Sequence, residues 1–358
     1  MKAKVAVVKT KPTTVLDDID RILGLAEVEK FLPRDIPTIL KINISWHFWY
    51  PACSTTPWQL DGVVGSLKKR GYRKFIPAQN RTVVINPKLG ADNNHLSSVM
   101  KKHRLNFVYL YEPDVEWINY RPKAKMLVLD KVYGGRIDIP KLFIGKNAFH
   151  LPTLKTHVFT TITGAMKNAF GGLLNDNRHW THSVIHEALV DLLQIQREIH
   201  PGIFCLTDGT IAGNGAGPRV MEPVIKNYLL AGGDPVAVDA VAAKLMGFDP
   251  LKLKFLNLAQ QMNLGTADPR NIEVVGEDIT NVNFRFECKD TLASKGQKAL
   301  YWGRLKPFER ILLRSPLVPW SYFASRVFHD FYWYNVFGKA IVKKFLNTSW
   351  GKLFQAYK

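Results

Sequence analysis

Residues 38–78 read TILKINISWHFWYPACSTTPWQLDGVVGSLKKRGYRKFIPA, and this stretch decides the fold. Residues 38–44 are short, apolar and β-branched, the composition of a strand. Thr56-Pro57 then opens an apolar period through Leu60, Val63, Val64 and Leu67. Thr56 is placed to cap that helix and Pro57 to occupy its first position, where a missing N–H leaves nothing unpaired. Gly71 ends the helix and residues 74–78 begin another strand. Working outward, residues 4–8 predict a first strand, and residues 15–31 an amphipathic helix through Ile19, Ile22, Leu23 and Val28. The β-α-β-α-β order predicts an α/β fold with a mostly parallel sheet flanked by helices. Ligands in such sheets gather beyond the carboxyl ends of the strands, which puts Lys41, Asn43 and the Thr56 turn at a working edge.

Further along, a helix is expected over residues 95–103, a strand over 107–110, and a hairpin of residues 126–129 and 136–139 around Tyr133-Gly134-Gly135. Residues 203–206 read as a strand, residues 229–232 lead into Asp234-Pro235 as a capped helix start, and residues 272–275 read as a closing strand. The expected organisation is one α/β domain over residues 1–290, divisible near residue 145 into two lobes, followed by a basic, aromatic, helical extension over 291–358.

The chemistry concentrates in residues 150–172, HLPTLKTHVFTTITGAMKNAFGG. Residues 158–163 suit an extended segment, and residues 164–170 have helical composition, so Thr163 is expected to cap a helix opened by Gly164. Free backbone N–H groups at such a start attract anions. Lys167 would lie in the first turn with Asn168 beside it, and Lys155 and His157 would approach from the preceding loop. Together they supply fixed charge and a group that titrates near neutrality, which suits a phosphate or carboxylate. The bland alternative is a capped surface helix with a solvated lysine.

Three further constellations follow. Arg178, His179, His182 and His186 precede an apolar period, and His182 with His186 stand at i and i+4, half of a divalent-metal site if a third ligand joins them. A plainer role has Arg178 clamping an anion and one histidine acting as acid or base. Asp208 stands just past a strand end and leads into GTIAGNGAGP, where Gly215 and Gly217 would let backbone N–H groups approach a ligand. Asp239, inside VAVDAVAA, needs a partner, and Lys155, Lys167, a metal or Lys244 are the candidates.

The blocks LPTLKTH, TGAMKNAFGG, LTDGTIAGNGAGP and LAGGDPVAVDAVAAKLMGFDP, in that order, resemble the family known as domain of unknown function 362, over about residues 38–277. The resemblance implies an α/β fold and a site, with Lys41-Ile42-Asn43 as a site loop; on an anionic substrate, Lys155, His157 and Lys167 would hold or protonate it, with Asp208 or Asp239 as the complementary base. Ile42 replaces the proline of the family pattern, and Asn214 stands where a glutamate is common. Many relatives also carry a ferredoxin-like module with cysteines for four-iron clusters. Here Cys53, Cys205 and Cys288 are far apart, so no iron–sulfur cluster bound by this chain alone is expected, and redox chemistry would need a ferredoxin-like partner.

Bulk properties narrow the setting. The chain has 358 residues, 46% of them hydrophobic, and a formal charge of +19, which favours acidic partners. Three scattered cysteines, an N-terminal apolar run too short for a signal peptide, and no uncharged run long enough to span a bilayer predict a cytoplasmic protein. Residues 291–358 hold eight Lys and four Arg against Glu309 and Asp330, with sixteen aromatics. Drawn as a helix over 322–345, they line Phe323, Val327, Phe331, Tyr334, Ile341 and Phe345 on one face, which suits a membrane surface, a partner, or a helix packed back over the α/β core. Aromatics among cations also stack on nucleic-acid bases, but no DNA- or RNA-binding module is visible. Two function classes emerge: an enzyme acting on an anionic small molecule in a redox or isomerase-type reaction, and a non-catalytic adaptor working through the basic tail.

Overall fold

The computed structural model describes residues 2–358 apart from Val83 and Leu317. Its strands are β1 (Ala3–Lys9), β2 (Thr38–Ile42), β3 (Phe75–Gln79), β4 (Val108–Tyr109), β5 (Trp117–Tyr120), β6 (Ile137–Pro140), β7 (Asn147–Leu151), β8 (Thr153–His157), β9 (Thr161–Ile162), β10 (Ile203–Ala216), β11 (Val220–Gly232) and β12 (Ile272–Gly276). One ten-stranded sheet runs β12-β1-β11-β10-β7-β2-β3-β4, with β8 joined to β10 and β9. It draws strands from both sides of residue 145. The pairs from β10 through β7, β2 and β3 to β4 are parallel, as are β1 with β12 and β10 with β8, so the expected mostly parallel sheet is present. The antiparallel exceptions in it all involve β11 or β9.

The alternation of side chains along each strand divides the core in two. Val5, Val7 and Ile39 face one layer, which contains helices Ile185–Ile199 and Pro235–Met246. Ala6, Val8 and Leu40 face the other, built on helices Val15–Leu25 and Pro57–Lys69. The helix expected over 15–31 breaks after Leu25, where Glu27 takes φ 53°, and resumes as Val28–Phe31. Thr56 caps Pro57–Lys69, its Oγ1 accepting from the Gln59 amide at 3.2 Å, and Asp234 caps Pro235–Met246 through the Val236 and Ala237 amides.

Two local expectations are corrected. No hairpin joins residues 126–129 to 136–139: residues Leu129–Tyr133 form a helical turn, and β6 pairs instead with β5. The buried Asp191 carboxylate takes the amides of Leu127, Val128 and Leu129 at 2.7, 2.9 and 3.0 Å, so those N–H groups are not free for a ladder. The glycine-rich run after Asp208 is not a loop either. It is the second half of β10, paired with β11 from Cys205↔Gly232 to Ala216↔Val220 and bulged between Gly209 and Ile211.

The extension packs back on the core. Phe345, Trp350 and Phe354 are buried in the second layer, Trp333 and Tyr334 pack on Trp46, and Asp330 Oδ1 accepts the Trp46 indole N–H at 2.7 Å. Residues Pro319–Leu346 are continuously helical, but Val327–Gly338 are wound as a π-helix. That winding overturns the single face drawn for residues 322–345. Phe323, Val327 and Phe331 are exposed, whereas Tyr334 and Phe345 turn to the protein.

Candidate functional site

β8 carries the first basic group inward. Thr153 to His157 are all buried, and Lys155 and His157 therefore sit on a strand rather than in the expected loop. Lys155 Nζ donates to Ser45 Oγ at 3.0 Å and to the Cys53 carbonyl; burial pushes its ammonium down to about 8. Lys41, at the end of β2, donates to the Ile42 carbonyl and Gln79 Oε1, and burial drives its pKa well below the usual lysine range.

The turn after Gly164 is occupied from within. Residues Ala165–Asn168 form one helical turn whose N-cap is Gly164, not Thr163. Asp239 Oδ1 accepts from the Ala165 amide at 2.7 Å and Oδ2 from the Met166 amide at 3.0 Å. The anion that this helix start attracts is thus the protein's own carboxylate. Burial raises Asp239 to about 7, against the lowering effect of the two amides. Neither Lys155, Lys167 nor Lys244 holds Asp239; Lys244 donates to the carbonyls of Ile279 and Thr280 instead. Gly164 is required because a methyl there would collide with the Asp239 carboxylate. Thr163 Oγ1 turns away to the carbonyls of Thr153 and Lys155.

Lys167, on that turn, has no hydrogen-bond acceptor or ion-pair partner among the described residues. Its Nζ lies 5.2 Å from the Phe170 ring centroid, and burial, then Lys155 and Arg178, lower it to about 7. Arg178 is buried and spends its guanidinium on the carbonyls of Arg81 and Leu174. Asn168 Nδ2 ties the same turn to the Lys41 carbonyl at 2.8 Å.

These groups meet at a cavity of about 280 Å³. Lys41, Lys155, Lys167 and Arg178 line it, and Arg219 makes a fifth basic wall. Arg219 reaches Ser325 Oγ at 3.4 Å, while its buried Nη1 has no partner. The one acidic lining residue, Asp176, is engaged by Arg81 at 2.6 Å. Asn43, His157, Thr163, Gly164 and Asn168 also line the cavity, as do Gly217 and His182. The histidines are neutral near pH 7: burial takes His182 to about 3 and His157 well below its ordinary value.

Five residues expected at the site lie outside that lining. Asp208 accepts from Thr56 Oγ1 at 2.6 Å, Trp58 Nε1 at 3.1 Å and the Thr210 amide at 2.8 Å, so both it and Thr56 tie β10 to a helix start. Asp239 caps the turn described above. Gly215 takes φ 104° in the hairpin arm, a conformation that favours glycine. His186 stacks on Phe255 at 6.2 Å, and it belongs to helix Ile185–Ile199 while His182 lies in the preceding 3-10 stretch. Among the described residues no three His, Cys, Asp or Glu side chains converge as metal ligands.

The model of the family described as Domain of unknown function (DUF362) matches residues 38–244, more than half of the chain. The chain belongs to the DUF362 family. It is also 32% identical over 123 residues to the thylakoid-associated protein sll1697 of Synechocystis, a match spanning 32% of this chain and 36% of that relative. The chain thus aligns with about a third of the length of the curated relative it matches. No solved structure matches it. The DUF362 match covers β2 to the last turn of helix Pro235–Met246, and so every lysine and arginine that lines the cavity.

Arg219 and the far wall escaped the sequence reading. Arg219 follows Gly217-Pro218 and could have been suspected from that block. Thr291, Ser294, Gln297 and His329 come from the extension, beyond the DUF362 match, and close the cavity from outside. Thr291 and Ser294 hold each other in a capping box at the start of helix Leu292–Tyr301.

Proposed function

We propose that the protein is an enzyme acting on an anionic small molecule, with a carboxylate or phosphate of the substrate held among Lys41, Lys155, Arg178 and Arg219. One observation carries this reading: five basic side chains line the cavity and none has a carboxylate salt-bridge partner among the described residues. Desolvated cations without counter-ions are costly, and an anionic ligand offsets that cost. Lys167, lowered to about 7 and without an acceptor, is matched to proton transfer at neutral pH, the step an isomerase-type reaction requires. Asp208 and Asp239 are committed elsewhere and have no part in that step. A redox version would draw electrons from a ferredoxin-like partner.

The test is calorimetric titration of the full chain with inorganic phosphate, pyruvate and citrate, followed by NMR detection of deuterium exchange into any bound carboxylate. Binding that Arg219→Ala weakens, and exchange that Lys167→Met abolishes, support the reading. Absence of binding by all three anions sinks it. The second reading, a docking protein without chemistry, is supported by the apolar surface that the extension leaves uncovered.

A further inference from the structure

The extension sorts its charges by direction. Its two acids both turn inward. Glu309 is buried, with Oε1 accepting from Ser183 Oγ at 2.9 Å and Arg314 Nη2 at 3.1 Å, and Asp330 receives the Trp46 indole and faces His47. The basic groups Arg304, Lys306, Arg310, Lys339, Lys343 and Lys344 are exposed. The outer surface of this segment therefore carries positive side-chain charge and no acidic side chain among the described residues.

The apolar groups on the same surface are large. Phe323 and Phe331 are each 70% exposed, and Tyr332, Val336 and Phe337 stand out beside them. The π winding explains the grouping: i→i+5 bonding brings residues four and five apart onto one side. Asp330, Trp333 and Tyr334 thus face the core while Phe331, Tyr332, Val336 and Phe337 face out. Upstream, Trp302, Leu305, Phe308 and Ile311 are exposed between Arg304, Lys306 and Arg310. The Trp320 indole N–H, donating to the Leu312 carbonyl at 3.3 Å, joins that stretch to the start of the long helix.

We propose that this surface seats the protein on a membrane containing anionic lipid. Aromatic side chains at headgroup depth flanked by Lys and Arg are the composition of an interfacial contact. Each exposed cation near an anionic leaflet adds to attraction that salt screens. No described helix is long and apolar enough to cross a membrane, so the contact lies along the surface. A second copy of the chain fits less well, because it would bring one positive surface against another. Exposed aliphatic groups such as Ile311, Val327 and Val336 among the aromatics give a nucleic-acid base nothing to stack on. The proposal goes beyond the catalytic reading and stands whether or not the cavity turns a substrate over.

The experiment is co-sedimentation of the full chain with phosphatidylcholine vesicles made with and without phosphatidylglycerol. The expected result is pelleting on the anionic vesicles, weakened by high salt. The partition coefficient should fall about tenfold or more in Phe323→Glu/Phe331→Glu. A second pair, Arg304→Glu/Lys306→Glu, changes charge alone on another segment and should fall comparably. Wild type left in the supernatant, equal pelleting on neutral vesicles, or both variants pelleting like wild type would overturn the proposal. Vesicle-free sedimentation covers the remaining occupants: a wild-type dimer that the aromatic pair dissolves, or nucleic-acid binding lost in both variants while vesicle binding is unchanged, overturns it equally.

Discussion

Asp239 Oδ1 lies 2.7 Å from the Ala165 amide nitrogen, so a carboxylate on one helix caps the short turn that carries Lys167 on another. The position of the proposed proton carrier is thereby set by a residue that does not line the cavity.

Asp239→Asn keeps the size of the side chain but turns an N–H donor toward one of two donating amides. We expect a loss of about 1–3 kcal/mol in chemical denaturation, the cost of an unsatisfied buried group. Anion affinity should fall with it, because the turn under Lys167 loosens. Unchanged stability would mean that the capping bonds contribute nothing.

Gly164→Ala places a methyl against the Asp239 carboxylate. The backbone there is extended, so the cost is steric and not conformational. We expect a destabilisation of about 3 kcal/mol or more. In the Asp239→Ala background the same substitution should cost far less, and a double-mutant cycle checks this.

The pH dependence follows from three groups. Lys167 and Lys155 fall to about 7 and 8 in the folded protein from 10.5, so the unfolded chain holds more protons between those values. Their penalty is fully present below about 7 and disappears as pH rises toward 10.5, which means that stability rises across that window. Asp239 runs the other way: raised to about 7 from 3.8, it is penalised fully above about 7 and relieved as pH falls toward 3.8. Their joint contribution is least favourable near neutrality. Denaturation curves of wild type and Lys167→Met at several pH values should diverge most below pH 7 and converge toward alkaline pH.

Lys167→Met removes a cation that has no partner and keeps the chain volume. The unliganded variant should be more stable at pH 6 by about 1 kcal/mol, read as a higher Tm. Stabilisation by added phosphate, expected in wild type, should shrink but persist, because Lys41, Lys155, Arg178 and Arg219 remain. A variant that is less stable, and stabilised by phosphate as much as wild type, would contradict the cavity assignment.

Much of the frame was legible because it rests on local rules. Thr56-Pro57 and Asp234-Pro235 start helices through their own side chains, and β1 to β3 announce themselves by composition. The basic core of the site was legible for the same reason, with Lys155, Lys167 and Arg178 clustered in sequence. What escaped depends on distant groups. Asp191 decides the conformation of residues 127–129, Asp239 replaces the external anion expected at Gly164, and β11 turns a glycine-rich run into a strand. The π winding of Val327–Gly338, which reassigns the faces of the extension, has no marker in an apolar pattern.

β1 precedes every other described strand, yet its neighbours in the sheet are β11 and β12, with Ala6 opposite Ala231 and Ala3 opposite Ile272. During translation its ladder groups therefore stay unpaired until β11, ending at Gly232, has left the ribosome, and its other side waits for β12, ending at Gly276. Pairings that distant are slow to close and expose strand edges meanwhile, so β1 is where a chaperone would have most to shield.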